Sequence, residues 1–130
     1  MRTVDYVIRY VEDLERAVAF YRDVLGLELR FTDEAYAEFS TGSVKLALFP
    51  RERLPDLLGR EALAGASPEG EVLFLVDDVD AEAERLRAAG VRILTGPVDR
   101  PWGHRTVHLL DADGLVVELA QEIPRQDRDR

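Results

Sequence analysis

One internal duplication constrains this chain more than any other feature of its sequence. Val11-Glu12-Asp13-Leu14-Glu15 returns as Val76-Asp77-Asp78-Val79-Asp80 after 65 residues, and Gly26-Leu27 returns as Gly90-Val91 after 64. Two separate anchors at nearly one spacing mark two structural units of the same kind. Each unit opens with a run rich in β-branched and aromatic residues, Val4 to Val11 and Glu71 to Val76, which reads as a strand. Each then enters a helix behind an aspartate cap. Asp13 precedes Leu14, Ala17, Val18, Tyr21, Val24 and Leu25, and Asp78 precedes Val79, Ala83, Leu86 and Ala89. That spacing gives one apolar face, and Gly26 and Gly90 supply the stops. Three strands follow in each half: 27–32, 36–40 and 44–49, then 91–94, 105–110 and 115–121. Asp111-Ala112-Asp113-Gly114 is a hairpin turn by composition.

A strand, a helix and three more strands leave one sheet face bare, so two such units must pair, within one chain or between two. The expected fold class is α+β: two βαβββ modules whose curled mixed sheets form an open half-barrel cleft. Module 1 spans about 1–50, a connection 51–70 and module 2 about 71–122, giving a single domain over 1–122. The connection carries Pro55 and Pro68 with Leu54, Leu57, Leu58 and Leu63, which predicts a turn or two of helix. The charged tail, 123–130, has little to bury and is expected to fray.

Composition narrows the function classes. With 46% apolar residues in 130, a proper core forms. The absence of cysteine excludes disulfides, thiolate metal sites and thiol nucleophiles. The net charge of −9 comes from 26 acids against 17 scattered bases, a balance that repels phosphate backbones and argues against nucleic acid. There is no run of about eighteen apolar residues to span a membrane and no apolar leader block, so a cytoplasmic location is expected. Phosphate-cradling glycine loops, GxSxG and HExxH are absent.

The chain resembles the vicinal oxygen chelate superfamily of glyoxalases, bleomycin-resistance proteins and extradiol dioxygenases. The resemblance is carried by Val11-Glu12-Asp13-Leu14-Glu15 with Phe20-Tyr21 and Leu25-Gly26-Leu27, and by Phe74-Leu75-Val76-Asp77-Asp78-Val79. Pro101-Trp102-Gly103 and Asp111-Ala112-Asp113-Gly114-Leu115-Val116-Val117-Glu118-Leu119 extend it to about residues 3–122. It implies curled half-barrels and a homodimer with residues of both subunits in each cleft. It says little about the reaction, because isomerases, dioxygenases, epimerases, thiol transferases and non-catalytic drug binders share the fold.

Relatives of this kind usually hold a divalent metal with histidine and glutamate on cleft-facing strands. By resemblance the first-strand ligand falls on Tyr6, its second-half equivalent on Glu71 and the last-strand glutamate on Glu118. A fourth-strand ligand would fall on Leu46, Ala47 or Leu48, all apolar. Glu118 sits among Val116, Val117 and Leu119, where a carboxylate needs a metal, a hydrogen-bond partner, a bound cation or a proton. Glu71 is either a cleft residue or simply the exposed start of its strand. His108 lies ten residues before Glu118 across the hairpin, a spacing that carries an acid/base residue in similar extradiol dioxygenases. It could ligate a metal with Glu71 and Glu118, form a proton-transfer pair with Glu118, or be structural; a hairpin slipped by one residue would turn it away. Trp102 reads as a loop aromatic over one end of a cleft or as edge packing, and His104 as an exposed loop residue. Arg9 is expected on the helix side of its strand.

The preferred expectation from the sequence is a metal-free binding protein for a small organic molecule, aromatic or cationic, in a homodimer cleft. Its ligand-binding residues would be Tyr6, Glu71, Trp102, His108 and Glu118. The alternative is a metal-dependent lyase, isomerase or dioxygenase with His108 and Glu118 as catalytic residues and Mn, Fe, Ni or Zn on Glu71, His108 and Glu118.

Overall fold

The computed structural model of the chain describes residues 2–64 and 67–125. The first half runs β1 (Tyr6–Val11), α1 (Leu14–Ala19), β2 (Glu28–Asp33), β3 (Tyr36–Ser40) and β4 (Lys45–Pro50). A connection of a 3-10 turn (Arg51–Arg53), α2 (Leu54–Leu58) and α3 (Arg60–Leu63) leads to the second half. That half is β5 (Gly70–Leu75), α4 (Val79–Ala88), β6 (Ile93–Arg100), β7 (His104–Leu110) and β8 (Val116–Glu122).

Both aspartate caps form, and in the same way. Asp13 Oδ1 accepts from the Arg16 N–H and Asp78 Oδ1 from the Ala81 N–H, each at 3.1 Å. These bonds satisfy amides that the first helical turn leaves unpaired. The helices end differently. α1 passes at Phe20–Val24 into a π-helical turn, whose extra residue carries Val24 and Leu25 off the apolar stripe, so both are exposed rather than core. β6 runs on to Arg100, well past the expected stop at residue 94. Pro97 is tolerated there because β6 is an edge strand whose register shifts between Thr95 and Val98, so Pro97 sits in the irregular stretch.

The two halves share one sheet. Its order is β2-β3-β4-β1-β5-β8-β7-β6, with β1–β4 and β5–β8 parallel and β1–β5 antiparallel at the seam. The eight strands do not close. The order reads the same from either edge once β5 to β8 are matched to β1 to β4, as the duplication requires. Gly70 lets the seam form: a Cβ there would lie 2.5 Å from the Ile8 carbonyl oxygen.

Strand alternation divides the core. On the outer face α1 packs through Val18 on Ala37, Phe39 and Leu48, while Val79 and Ala83 of α4 pack on Val107 and Leu119. Arg9 is on this side and exposed. The hollow face carries Ile8, Tyr10, Ala47, Leu73, Val116 and Ala120, and Leu54 and Leu58 of α2 pack directly on them. The connection is therefore folded into the hollow instead of looping around it. Ile123, expected to belong to a frayed tail, donates its N–H to the Gly103 carbonyl at 2.9 Å, and residues 126–130 lie outside the described residues.

Candidate metal centre

Three strands of module 2 bring its polar side chains together on the hollow face. The β7–β8 register sets His108 directly opposite Glu118, so the hairpin is not slipped. The β5–β8 register sets Leu73 opposite Glu118 and Glu71 opposite Val116, placing Glu71 one diagonal step away on the same face. Glu71, His108 and Glu118 keep only 2%, 0% and 5% of their surface. His108 Nε2 lies 3.3 Å from Glu118 Oε1 and 3.9 Å from Glu71 Oε1. One donor atom from each residue falls within 4.8 Å of the others.

Hydrogen bonding leaves this cluster incomplete. The Tyr10 hydroxyl donates to Glu71 Oε1 at 2.5 Å. Glu71 Oε2, His108 Nδ1 and His108 Nε2 are buried without a hydrogen-bond partner, and the short approach of Nε2 to Glu118 is not aligned as a bond. Buried polar atoms are rarely left so, because each forfeits its water without replacement. Burial, then the Glu118 charge beside it, raises the Glu71 carboxyl well above its ordinary range. Burial raises Glu118 as well. Burial pushes the His108 imidazole down to about 4, against the pull of Glu71. At neutral pH the imidazole is thus a neutral base with lone-pair density to offer. One imidazole and two carboxylates make a donor set suited to Mn, Fe or Zn, and a divalent ion would meet Glu71 Oε2 and one of the two imidazole nitrogens. The residues present fit a metal.

Tyr6 and Trp102 stand apart from this trio. Tyr6 is half-buried opposite Leu73, with Lys45 Nζ 5.8 Å from its ring centroid. Trp102 is 47% exposed in the β6–β7 turn, with the Arg100 guanidinium 5.8 Å from its ring centroid. His104, expected in an exposed loop, begins β7 and is half-buried, which pushes its imidazole down.

Three contributions escaped the sequence. Tyr10 was legible in part, since alternation puts it on the face of Tyr6 and Ile8, but its reach to Glu71 depends on the seam register. Arg100 lies beyond the strand expected at 91–94 and joins the sheet only because β6 extends to it. The third is a second polar cluster in module 1, where the Tyr36 hydroxyl donates to Glu38 Oε1 at 2.8 Å and the Arg30 guanidinium bonds the other oxygen. Glu38 pairs with Ala47 as His108 pairs with Glu118, so Tyr6, Glu38 and Ala47 are the counterparts of Glu71, His108 and Glu118.

Tyr10→Phe tests the description of the centre. The change leaves Glu71 Oε1 without its hydroxyl partner and is expected to cost about 1–3 kcal/mol in denaturant unfolding. A loss below a few tenths of a kcal/mol would mean that the phenol and carboxylate do not meet in solution.

Two βαβββ modules in one open sheet, with a carboxylate–imidazole cluster on its hollow face, define a class of protein. The family profile described as "Glyoxalase/Bleomycin resistance protein/Dioxygenase superfamily" matches residues 3–119, and the chain belongs to that superfamily. It is 34% identical over 115 residues to YraH of Bacillus subtilis (strain 168), covering 84% of this chain and 90% of that protein. It is 32% identical to the 2-epi-5-epi-valiolone epimerase of an Actinomyces species, covering 89% of this chain and 77% of the other. Among solved structures, a variant of Streptomyces coelicolor methylmalonyl-CoA epimerase in complex with 2-nitronate-propionyl-CoA superposes with a TM-score of 0.69 at 29% identity. That match covers 92% of this chain and 96% of the epimerase. Among the described residues, no helix is long and apolar enough to cross a membrane.

Proposed function

We propose that the protein is a metal-dependent isomerase or lyase that works on a small organic molecule at Glu71, His108 and Glu118. The observation that carries this reading is the set of orphaned atoms, two imidazole nitrogens and a carboxylate oxygen, buried within reach of a second carboxylate. The names of two similar proteins, both epimerases, lend support from outside the structure.

When bound, a divalent ion would polarise the oxygens of a substrate and so make a neighbouring C–H bond more acidic. The chain's own groups supply the rest. Tyr10 fixes the orientation of Glu71 through Oε1, which leaves Oε2 as the oxygen free to meet the ion. Leu54 and Leu58 exclude bulk water from the face where charge would develop.

The metal-free pocket for an aromatic or cationic ligand has less support. Three donors within 4.8 Å of one another match the size of an ion, not of an organic cation. β5, β7 and β8 of one chain supply all three, so the trio needs no second subunit to complete it.

Elemental analysis of protein purified without chelator provides the test. The expected result is Mn, Fe, Ni or Zn near one per chain in the wild type and its loss in His108→Ala. Metal-free wild type from metal-supplemented medium, together with failure to take up added Mn(II), would return the preference to metal-free binding.

A further inference from the structure

Three arginines of the described residues are half-buried: Arg51, Arg100 and Arg105. Arg51 lies 3.4 Å from a Glu12 carboxylate oxygen, and Arg105 lies 2.9 Å from both Asp80 and Asp99. Arg100 alone has no carboxylate within 4.0 Å among the described residues. Its guanidinium is held by neutral groups only. Nε donates to Thr106 Oγ1 at 3.1 Å, Nη2 approaches the Leu57 carbonyl at 3.4 Å, and the Trp102 ring lies alongside. Nη1 makes no hydrogen bond among the described residues.

The place of this cation matters more than its isolation. Arg100 ends β6 opposite His104, beside Thr106, and Thr106 precedes His108 by two residues on the same face of β7. The guanidinium thus lies between the exposed Trp102 and the buried trio, at the margin of the α2 cover. Its charge is felt by Glu71, Glu118 and His108 alike. A planar fork with spare donors, desolvated in part and fixed by uncharged partners, is arranged to receive an oxyanion in two-point contact.

We propose that Arg100 is the anion-recognition residue of this centre, and that its substrate carries a carboxylate or phosphonate next to the oxygens that would meet the metal. The inference deepens the metal-centre reading and rests on it. Two carboxylates balance a divalent ion, so the positive charge of Arg100 is left to be matched by the ligand. Thr106 and Leu57 hold the guanidinium in position without competing for its charge.

The test uses the full chain loaded with Mn(II), titrated with oxalate and with its uncharged analogue oxamide. Calorimetry follows the ligands and water-proton relaxation follows the metal. The wild type is expected to bind oxalate at least tenfold more tightly than oxamide. Arg100→Met is expected to lose at least tenfold in oxalate affinity while its Mn(II) affinity stays within twofold, and Arg100→Lys to fall between. Phosphonoformate in a parallel titration tells a tetrahedral anion from a planar one. Unchanged oxalate binding in a Mn-loaded Arg100→Met protein would overturn the role of Arg100 and leave the metal centre standing. If the wild type takes up no Mn(II), the metal reading itself fails. The inference, which places the anion beside metal-bound oxygens, falls with it.

Discussion

Replacing Glu118 with glutamine is expected to abolish metal binding and to stabilise the metal-free protein in the same stroke. Losing an outer-sphere partner of a metal typically costs 10–100-fold in affinity, so losing a charged ligand should cost on the order of 100-fold or more. The gain in stability has a separate origin. Glu118 is buried beside a second buried carboxylate, and both are raised above their ordinary range. A group whose folded value is raised favours the folded state below its unfolded value, and that benefit disappears as pH climbs through the folded value. Stability of the metal-free wild type should therefore fall as pH rises above about 4.5 on account of the two carboxylates. His108 acts oppositely: its folded value of about 4 lies below the ordinary 6.5, so its part of the stability is lost as pH falls from 6.5 towards 4. Glu118→Gln removes the Glu118 part of the carboxylate slope and the repulsion it adds to Glu71, and is expected to add about 1–3 kcal/mol at pH 7.5. Mn(II) should raise the wild-type Tm and leave that of the variant unchanged. Thermal unfolding at pH 5, 6.5 and 8, with and without Mn(II), reads both effects. Equal metal-induced shifts in the two proteins would remove Glu118 from the donor set.

Leu58→Ala should produce the other large effect. Leu58 keeps 1% of its surface and packs with Leu54 on Ile8, Tyr10, Leu73 and Val116. Truncating a leucine in such a place typically costs 2–5 kcal/mol, the spread reflecting how far the walls relax into the cavity. The loss should be accompanied by faster exchange of metal, since Leu58 shares its apolar cluster with Leu73 and Val116 on the strands that carry Glu71 and Glu118. Denaturant unfolding and Mn(II) dissociation after addition of a chelator measure the two separately. A loss below about 1 kcal/mol would show that the connection does not fill the hollow in solution.

The duplication made most of the architecture legible. Asp13 and Asp78 announced both helices, and the Asp111–Gly114 turn fixed a hairpin register that puts His108 against Glu118. Local signals of this kind are short-range, so one copy of the sequence suffices to read them. The π-helical turn after Ala19 was illegible because Val24 and Leu25 continue the apolar spacing of an ordinary helix. The fate of residues 51–63 was illegible for another reason. Leucines scattered among prolines show that a segment wants burial, but not which surface receives it. The antiparallel seam, with Tyr10 reaching across it to Glu71, is a contact between residues 61 apart, and no local pattern encodes it.

The inequality of the two halves has a consequence for how such a protein changes over generations. Duplication delivered two matching sets of positions, and only one now holds an imidazole between two acids; at the other, Tyr6, Glu38 and Ala47 have settled into a wall. The labour is thereby divided. With the trio as the reactive centre, replacements along β3 and β4 can remodel which molecules are admitted while that centre is spared, so new specificities can arise without dismantling old chemistry.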